Sequence, residues 1–195
     1  MPRMTDLGPA ASSVETLLPA VDDTRLGAPT PCRDYAVSAL LQHLVELTEA
    51  FRDAADKRFT PLTDSGPDPL ATPLAADWRV RLPRQLRDLA AAFRHPAAWE
   101  GRTRAGGVEL TGEEAGYVAL GELVLHGWDL AVATGQPYPA DPDAVAASVG
   151  LLESFGPGTE GGPFGPPVPV PDGASPLERA VALSGRDPHW APADR

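Results

Sequence analysis

Four stretches of this chain place apolar side chains in steps of three and four, and segments dense in Gly and Pro separate them. That spacing stacks the apolar residues on one face of a helix, and such a face has to be buried against another. The first series is Leu7, Ala11, Val14, Leu18 and Val21, with Pro19 placed to bend or end the helix. The second is Val37, Leu40, Leu41, Leu44, Val45, Thr48 and Phe51, and the third is Trp78, Leu82, Leu86, Leu89 and Phe93, ending before Pro96. The fourth opens at Thr111-Gly112-Glu113-Glu114, where hydroxyl and carboxylate can each satisfy an orphan backbone N–H, and runs to about Thr134 and Gly135. The spacing predicts an all-α bundle of four main helices, with an up-down arrangement as the simplest way to bury four stripes.

Shorter elements fill the gaps. Gly27 to Cys32, with Pro29 and Pro31, reads as an extended connector, because a residue before Pro is pushed out of the α region. Residues 60–73 read as a loop and 99–110 as a short hairpin. Asp141-Pro142 supplies an N-cap and a Pro at the first helical position, so a fifth helix is expected over 142–155. Gly and Pro dominate 156–173, which excludes a central strand there. Ser175-Pro176-Leu177-Glu178 is a second capping box, starting a short helix that Gly185 ends. The expected organisation is a bundle over 1–155 and a Pro/Gly-rich extension over 156–195 packed on the same domain.

Charge and cysteine content narrow the partners. Asp plus Glu outnumber Lys plus Arg by 27 to 16, so there is no basic surplus to engage nucleic acid or an anionic membrane surface. The single cysteine, Cys32, excludes a disulfide framework and a multi-cysteine zinc site. With no signal peptide and no run of about 18 apolar residues, a cytoplasmic protein is expected. No phosphate-binding loop and no Gly-x-Ser-x-Gly elbow occurs.

Chemistry therefore falls to the histidines. Glu122 and His126, four apart, aim a carboxylate and an imidazole at one point, and His43 lies on the apolar side of the second helix. Together they could hold a divalent metal with one coordination position open, as catalytic zinc sites do. The same spacing also arises by chance in a hydrogen-bonded helix, and both readings stand at this point. Asp129, three residues on, extends that face as a partner orienting the imidazole, a fourth ligand or a solvated charge. His95 and His189 read as surface residues, and Cys32, next to Arg33, as an activated thiol or, more commonly for such a position, a small packing residue.

The run Thr30-Pro31-Cys32-Arg33-Asp34-Tyr35-Ala36-Val37 with Leu40-Leu41-Gln42-His43-Leu44 resembles the opening motif of actinobacterial DinB/YfiT-like proteins, relatives of the metal-binding domain of mycothiol-dependent maleylpyruvate isomerase. Glu122-Leu123-Val124-Leu125-His126-Gly127-Trp128-Asp129 is similar to the family's second motif, and the tail from Phe164 to Trp190 to the end of a subgroup of short members. The resemblance implies a four-helix bundle holding a divalent ion, usually zinc, on His43, Glu122 and His126; iron or nickel would suit the same ligands. It implies an enzyme activating a low-molecular-weight thiol such as mycothiol towards an electrophile, as an S-transferase or isomerase. A homodimer is entertained as the assembly. Two departures stand out. Tyr35 replaces the usual Trp, and a Pro-rich segment with a short helix stands where the isomerase has a separate C-terminal domain, which argues against maleylpyruvate isomerase activity itself. Arg179 and Arg186 are assigned no role. The other readings are a non-catalytic metal- or ligand-binding protein and a Lewis-acid enzyme of specialised metabolism.

Overall fold

The computed structural model describes residues 4–33, 35–65, 68, 70–156 and 164–192. Asp34 of the first motif, part of the loop expected over 60–73 and the 157–163 stretch of the Gly/Pro-rich run lie outside the described residues. Among those described, the elements are α1 (Gly8–Leu17), α2 (Val37–Ala55), α3 (Pro61–Ser65), α4 (Trp78–Ala92), α5 (Pro96–Trp99), a hairpin of β1 (Arg102–Ala105) and β2 (Val108–Thr111), α6 (Gly112–Thr134), α7 (Pro142–Phe155) and α8 (Pro176–Leu183). No helix of the described residues is long and apolar enough to cross a membrane.

The periodic stripes form the core as their spacing predicts. Leu7, Val14, Leu40, Leu44, Leu82, Leu86, Leu89, Leu120 and Leu123 are all fully buried in one cluster. Both α1 and α2 pack on α4 and on α6. Consecutive α1 and α2 therefore face each other across the bundle, and so do α4 and α6. A plain up-down ring, in which each helix neighbours the next, is not what forms. The long connections make the diagonals possible: residues 18–36 lead from α1 to α2, and α5 with the hairpin leads from α4 to α6.

Four helix starts satisfy their orphan N–H groups in identifiable ways. Thr111 accepts from the Glu114 N–H while the Glu114 carboxylate accepts from the Thr111 N–H, completing the expected box at α6. Ser175 and Glu178 do the same at α8, and Asp141 caps α7. Helix α2 has no side-chain cap, because its N-cap is Ala36. Instead the N–H groups of Val37 and Ser38 donate to the carbonyls of Ala28 and Leu26, at 3.0 and 2.9 Å. The connector before α2 is thus its cap, which explains why an extended Pro-containing segment precedes it.

Two details depart from the sequence reading. The 60–73 stretch is not all loop, since Pro61–Ser65 makes a short helix closed by a Thr63 hydroxyl that accepts from the Thr60 N–H at 2.7 Å. Further along, Ala75 and Asp68 donate their N–H groups to Gln42 and Glu46 of α2, and these two are joined by a 2.8 Å hydrogen bond. Buried polar groups on α2 thereby fasten the connection to α4.

Trp99 closes the far end of the bundle. Its Nε1–H donates to the Phe93 carbonyl at 2.7 Å and its ring packs edge-on against Phe93 and Tyr117. The ring lies so close to α6 that a Cβ on Gly116 would sit 2.6 Å from it. Gly116→Ala should therefore destabilise the protein by about 1–3 kcal/mol through overpacking. Gly150→Ala meets nothing within 4 Å and should be neutral or stabilising by up to about 1 kcal/mol; urea unfolding of both variants checks the contrast.

Candidate metal centre

Helix α6 has 23 residues and is surrounded: α1, α2, α5, α7 and the hairpin all pack on it. Polar side chains in its middle have little access to water, so each must find a protein partner. Glu122, His126 and Asp129 occupy one face, as the spacing predicts, and each is met by a group from elsewhere in the chain.

The Glu122 carboxylate stands between two imidazoles. His43 Nε2, from α2, lies 3.3 Å from Glu122 Oε2, and His126 Nε2 lies 3.0 Å from the same oxygen. The two rings meet edge-to-face with centroids 4.7 Å apart. These three ligand atoms lie within 4.8 Å of one another. Metal–ligand bonds of about 2.0–2.1 Å at a tetrahedral centre put neighbouring donors about 3.3 Å apart, and the two carboxylate–imidazole distances are close to that value. Two imidazoles and a carboxylate suit zinc, iron or nickel.

The two histidines are held differently. His126 Nδ1 lies 2.9 Å from Asp129 Oδ2, and since an ionised carboxylate only accepts, that nitrogen carries its proton. Asp129 is completely buried and is gripped by Arg186, whose Nε and Nη2 reach its two oxygens at 2.8 and 2.9 Å. His43 Nδ1 is buried with no hydrogen-bond partner among the described residues. Its ring is held by packing, with the Tyr35 ring 5.3 Å away; Tyr35 also reaches within 6.5 Å of the His126 ring. The Thr30 side chain positions Tyr35, its Oγ1 lying 2.8 Å from the Tyr35 carbonyl and 3.0 Å from that of Cys32.

The charges follow from this geometry. Burial alone would lower the basicity of His126, but its hydrogen bonds to Asp129 and Glu122 outweigh burial and raise its pKa to about 9. Burial pushes the His43 imidazole down, with the Glu122 hydrogen bond only partly opposing it. Burial would raise Glu122, yet the hydrogen bond and charge of His126, with His43 behind, hold its carboxyl well below the usual range. Burial would also raise Asp129, and the Arg186 charge followed by the His126 hydrogen bond brings it down.

All of the expected ligand residues and Asp129 therefore meet in one place. Two residues given no part in this centre by the sequence reading join them. Arg186 completes the Asp129 pair, and Cys32 lies near enough for its sulfur to fall within 4.8 Å of His126 and Asp129 donor atoms. Nothing local marks either, since Arg186 is 57 residues from its partner and Cys32 sits in a connector. Arg179 forms an exposed ion pair with Glu153 at 3.0 Å, and His95 and His189 are exposed. A groove of about 870 Å³ between the start of α1, α6 and α7 is lined by Asp6, Glu113, Tyr117 and Asp143 and includes none of His43, Glu122 and His126.

Comparison with known proteins places this geometry in context. Residues 7–131 match the family described as "Mycothiol maleylpyruvate isomerase N-terminal domain". An uncharacterized protein of Mycobacterium tuberculosis, found in strains CDC 1551 / Oshkosh and ATCC 25618 / H37Rv, is 29% identical over 193 aligned positions, covering 91% of this chain and 93% of that protein. The crystal structures of the mycothiol-dependent maleylpyruvate isomerase and of a mutant of it superpose with a TM-score of 0.53 and 16% identity, over 75% of this chain and 66% of theirs. The chain thus spans just under two thirds of the isomerase, and at that identity the likeness is one of fold. With more than half of the chain matched, and His43, Glu122 and His126 all inside the matched segment, the chain belongs to the mycothiol maleylpyruvate isomerase N-terminal domain family.

Proposed function

We propose that this protein is a metal-dependent enzyme that uses a low-molecular-weight thiol such as mycothiol, as an S-transferase or isomerase, with the ion held by His43, Glu122 and His126. One observation carries the reading: two imidazoles and a carboxylate from two helices converge at ligand spacing, in a chain of a family named for a mycothiol-dependent enzyme. When bound, a divalent ion with an open coordination position keeps a thiol ionised at neutral pH. Glu122 supplies the only negative charge among the three donors, which leaves a net positive centre to attract an anion. Asp129 keeps the Nδ1 proton of His126, so Nε2 is the nitrogen presented to the ion. Tyr35 covers both imidazoles on one side and limits the space beside them. We read 1–155 as the bundle that builds this centre and 156–195 as an extension packed on it, a reading supported by the contacts of α8 with α7 and of Arg186 with Asp129.

Purified protein should contain about one divalent ion per chain, and His126→Ala should lose most of it; elemental analysis checks this, and equal occupancy in both would remove the three residues from consideration. Uptake should also release protons. At pH 7 His126, with its pKa raised to about 9, still carries the proton that the ion must displace, whereas His43 is shifted towards the neutral form and Glu122 is already ionised. Calorimetry at pH 7 in buffers of different ionisation enthalpy should show about one proton released per ion. Affinity should rise about tenfold per pH unit as pH approaches 9, then level off once His126 is neutral.

A metallated sample should accelerate conjugation of mycothiol to a bromobimane, with a pH profile showing thiolate below the ~8.5 of a free thiol. Chelation and Glu122→Gln should each depress the rate. A rate that survives chelation, or one lost on Cys32→Ser while the ion is retained, would move the chemistry away from the three ligands. Saturable ligand binding with no metal-dependent rate across a panel of thiols and electrophiles would assign the protein to non-catalytic binding.

A further inference from the structure

The segment after α8 reaches back into the bundle through one side chain. Helix α8 ends in a Schellman turn: the N–H of Gly185 donates to the Ala182 carbonyl at 3.0 Å and the N–H of Arg186 to that of Val181 at 3.2 Å. Gly185 has φ +82°, a left-handed conformation, and a Cβ there would sit 2.7 Å from the Cα of Gly165. The reversed chain directs the Arg186 side chain onto α6. There its Nε lies 2.8 and 3.1 Å from the two Asp129 oxygens and its Nη2 lies 2.9 Å from Oδ2, while Nη1 donates to the Ser184 hydroxyl at 3.0 Å. The arginine side chain is only 11% exposed and the carboxylate is fully buried, so this is a desolvated, two-pronged ion pair.

We infer that Arg186 is a positioning residue for His126: it fixes the plane of the Asp129 carboxylate, and Asp129 in turn fixes the His126 ring so that Nε2 faces Glu122 and His43. The inference rests on the reading that these three residues hold an ion, and it assigns the turn after α8 a part in that centre. His126 has this chain of supports and His43 has none, since its Nδ1 is unpartnered among the described residues. The anchoring of one ligand thus depends on a residue outside the 7–131 segment that defines the family. Lysine at 186 would supply the charge without the fork.

The test uses the full-length chain and cobalt as the probe. In metal-free wild type, ¹⁵N-resolved NMR should show a His126 Nδ1–H protected from exchange, and Arg186→Met should lose that signal. Cobalt affinity, measured by competition with a chromophoric chelator, should fall about 10–100-fold in Arg186→Met, with an altered cobalt absorption band, and should recover in part in Arg186→Lys. Arg179→Met, which removes the ion pair between α8 and Glu153, should match wild type in each measurement. Should Arg186→Met fail to fold, Arg186→Lys still decides, because wild-type affinity and an intact Nδ1–H signal in that variant would overturn the role of the fork. Wild-type affinity and spectrum in a folded Arg186→Met would overturn the inference while leaving the metal site standing. Cobalt uptake unchanged by His126→Ala would instead sink the metal site, and the metal-free NMR signal would then decide by itself whether Arg186 orients the ring.

Discussion

The structure is organised by the cost of placing charge in the middle of a helix that water reaches poorly. Helix α6 is packed on several sides, yet it carries Glu122, His126 and Asp129 on one face. An unpaired ionised group in such a place is far costlier than any single packing contact. The chain meets that constraint with partners from distant elements: His43 from α2 for Glu122, and Arg186 from beyond α8 for Asp129. Much else follows. The connector before α2 must cap that helix and present Tyr35 at the site, and α8 must stop where it does for Arg186 to turn inward.

What could be read in the sequence was what depends on neighbours along the chain. The stripes of α1, α2, α4 and α6, the two capping boxes, the hairpin and the 142–155 helix all arise from residues within a few positions of one another, and all form as expected. The Glu122–His126 pair is likewise local, His43 stood out by its place on the apolar side of the second helix, and the family motif pointed to the same three residues. What was hidden depends on residues far apart. Spacing within a helix carries no information about which helices become neighbours, so the diagonal placement of α1 and α2 could not be read from it. Nor does a lone arginine after a Gly announce that its partner lies 57 residues upstream. The short helix at Pro61–Ser65 was obscured by the prolines around it, of which Pro61 in fact begins the helix.

The likeness to the mycothiol-dependent maleylpyruvate isomerase covers 75% of this chain and 66% of that one, so shared architecture stops short of shared activity. In this chain the residues after α7 include a helix against α7 and an arginine that enters the α6 network. In this chain the Glu122 side chain keeps 23% of its surface exposed, and whatever covers that surface decides which molecules can approach. Differences among proteins with this bundle are thus expected to concentrate in the segments that lean on the polar face of α6, rather than in the stripes beneath it.

For an ion held as proposed, the unequal support of the two imidazoles bears on selectivity. His126 is locked through Asp129, whereas His43 is steadied by ring contacts and by Glu122 alone. A cage with one stiff wall and one compliant wall can adjust to cations of slightly different radius without straining the whole frame. Discrimination among zinc, iron and nickel would then rest less on the dimensions of the cavity than on which ion the surrounding cell keeps in supply.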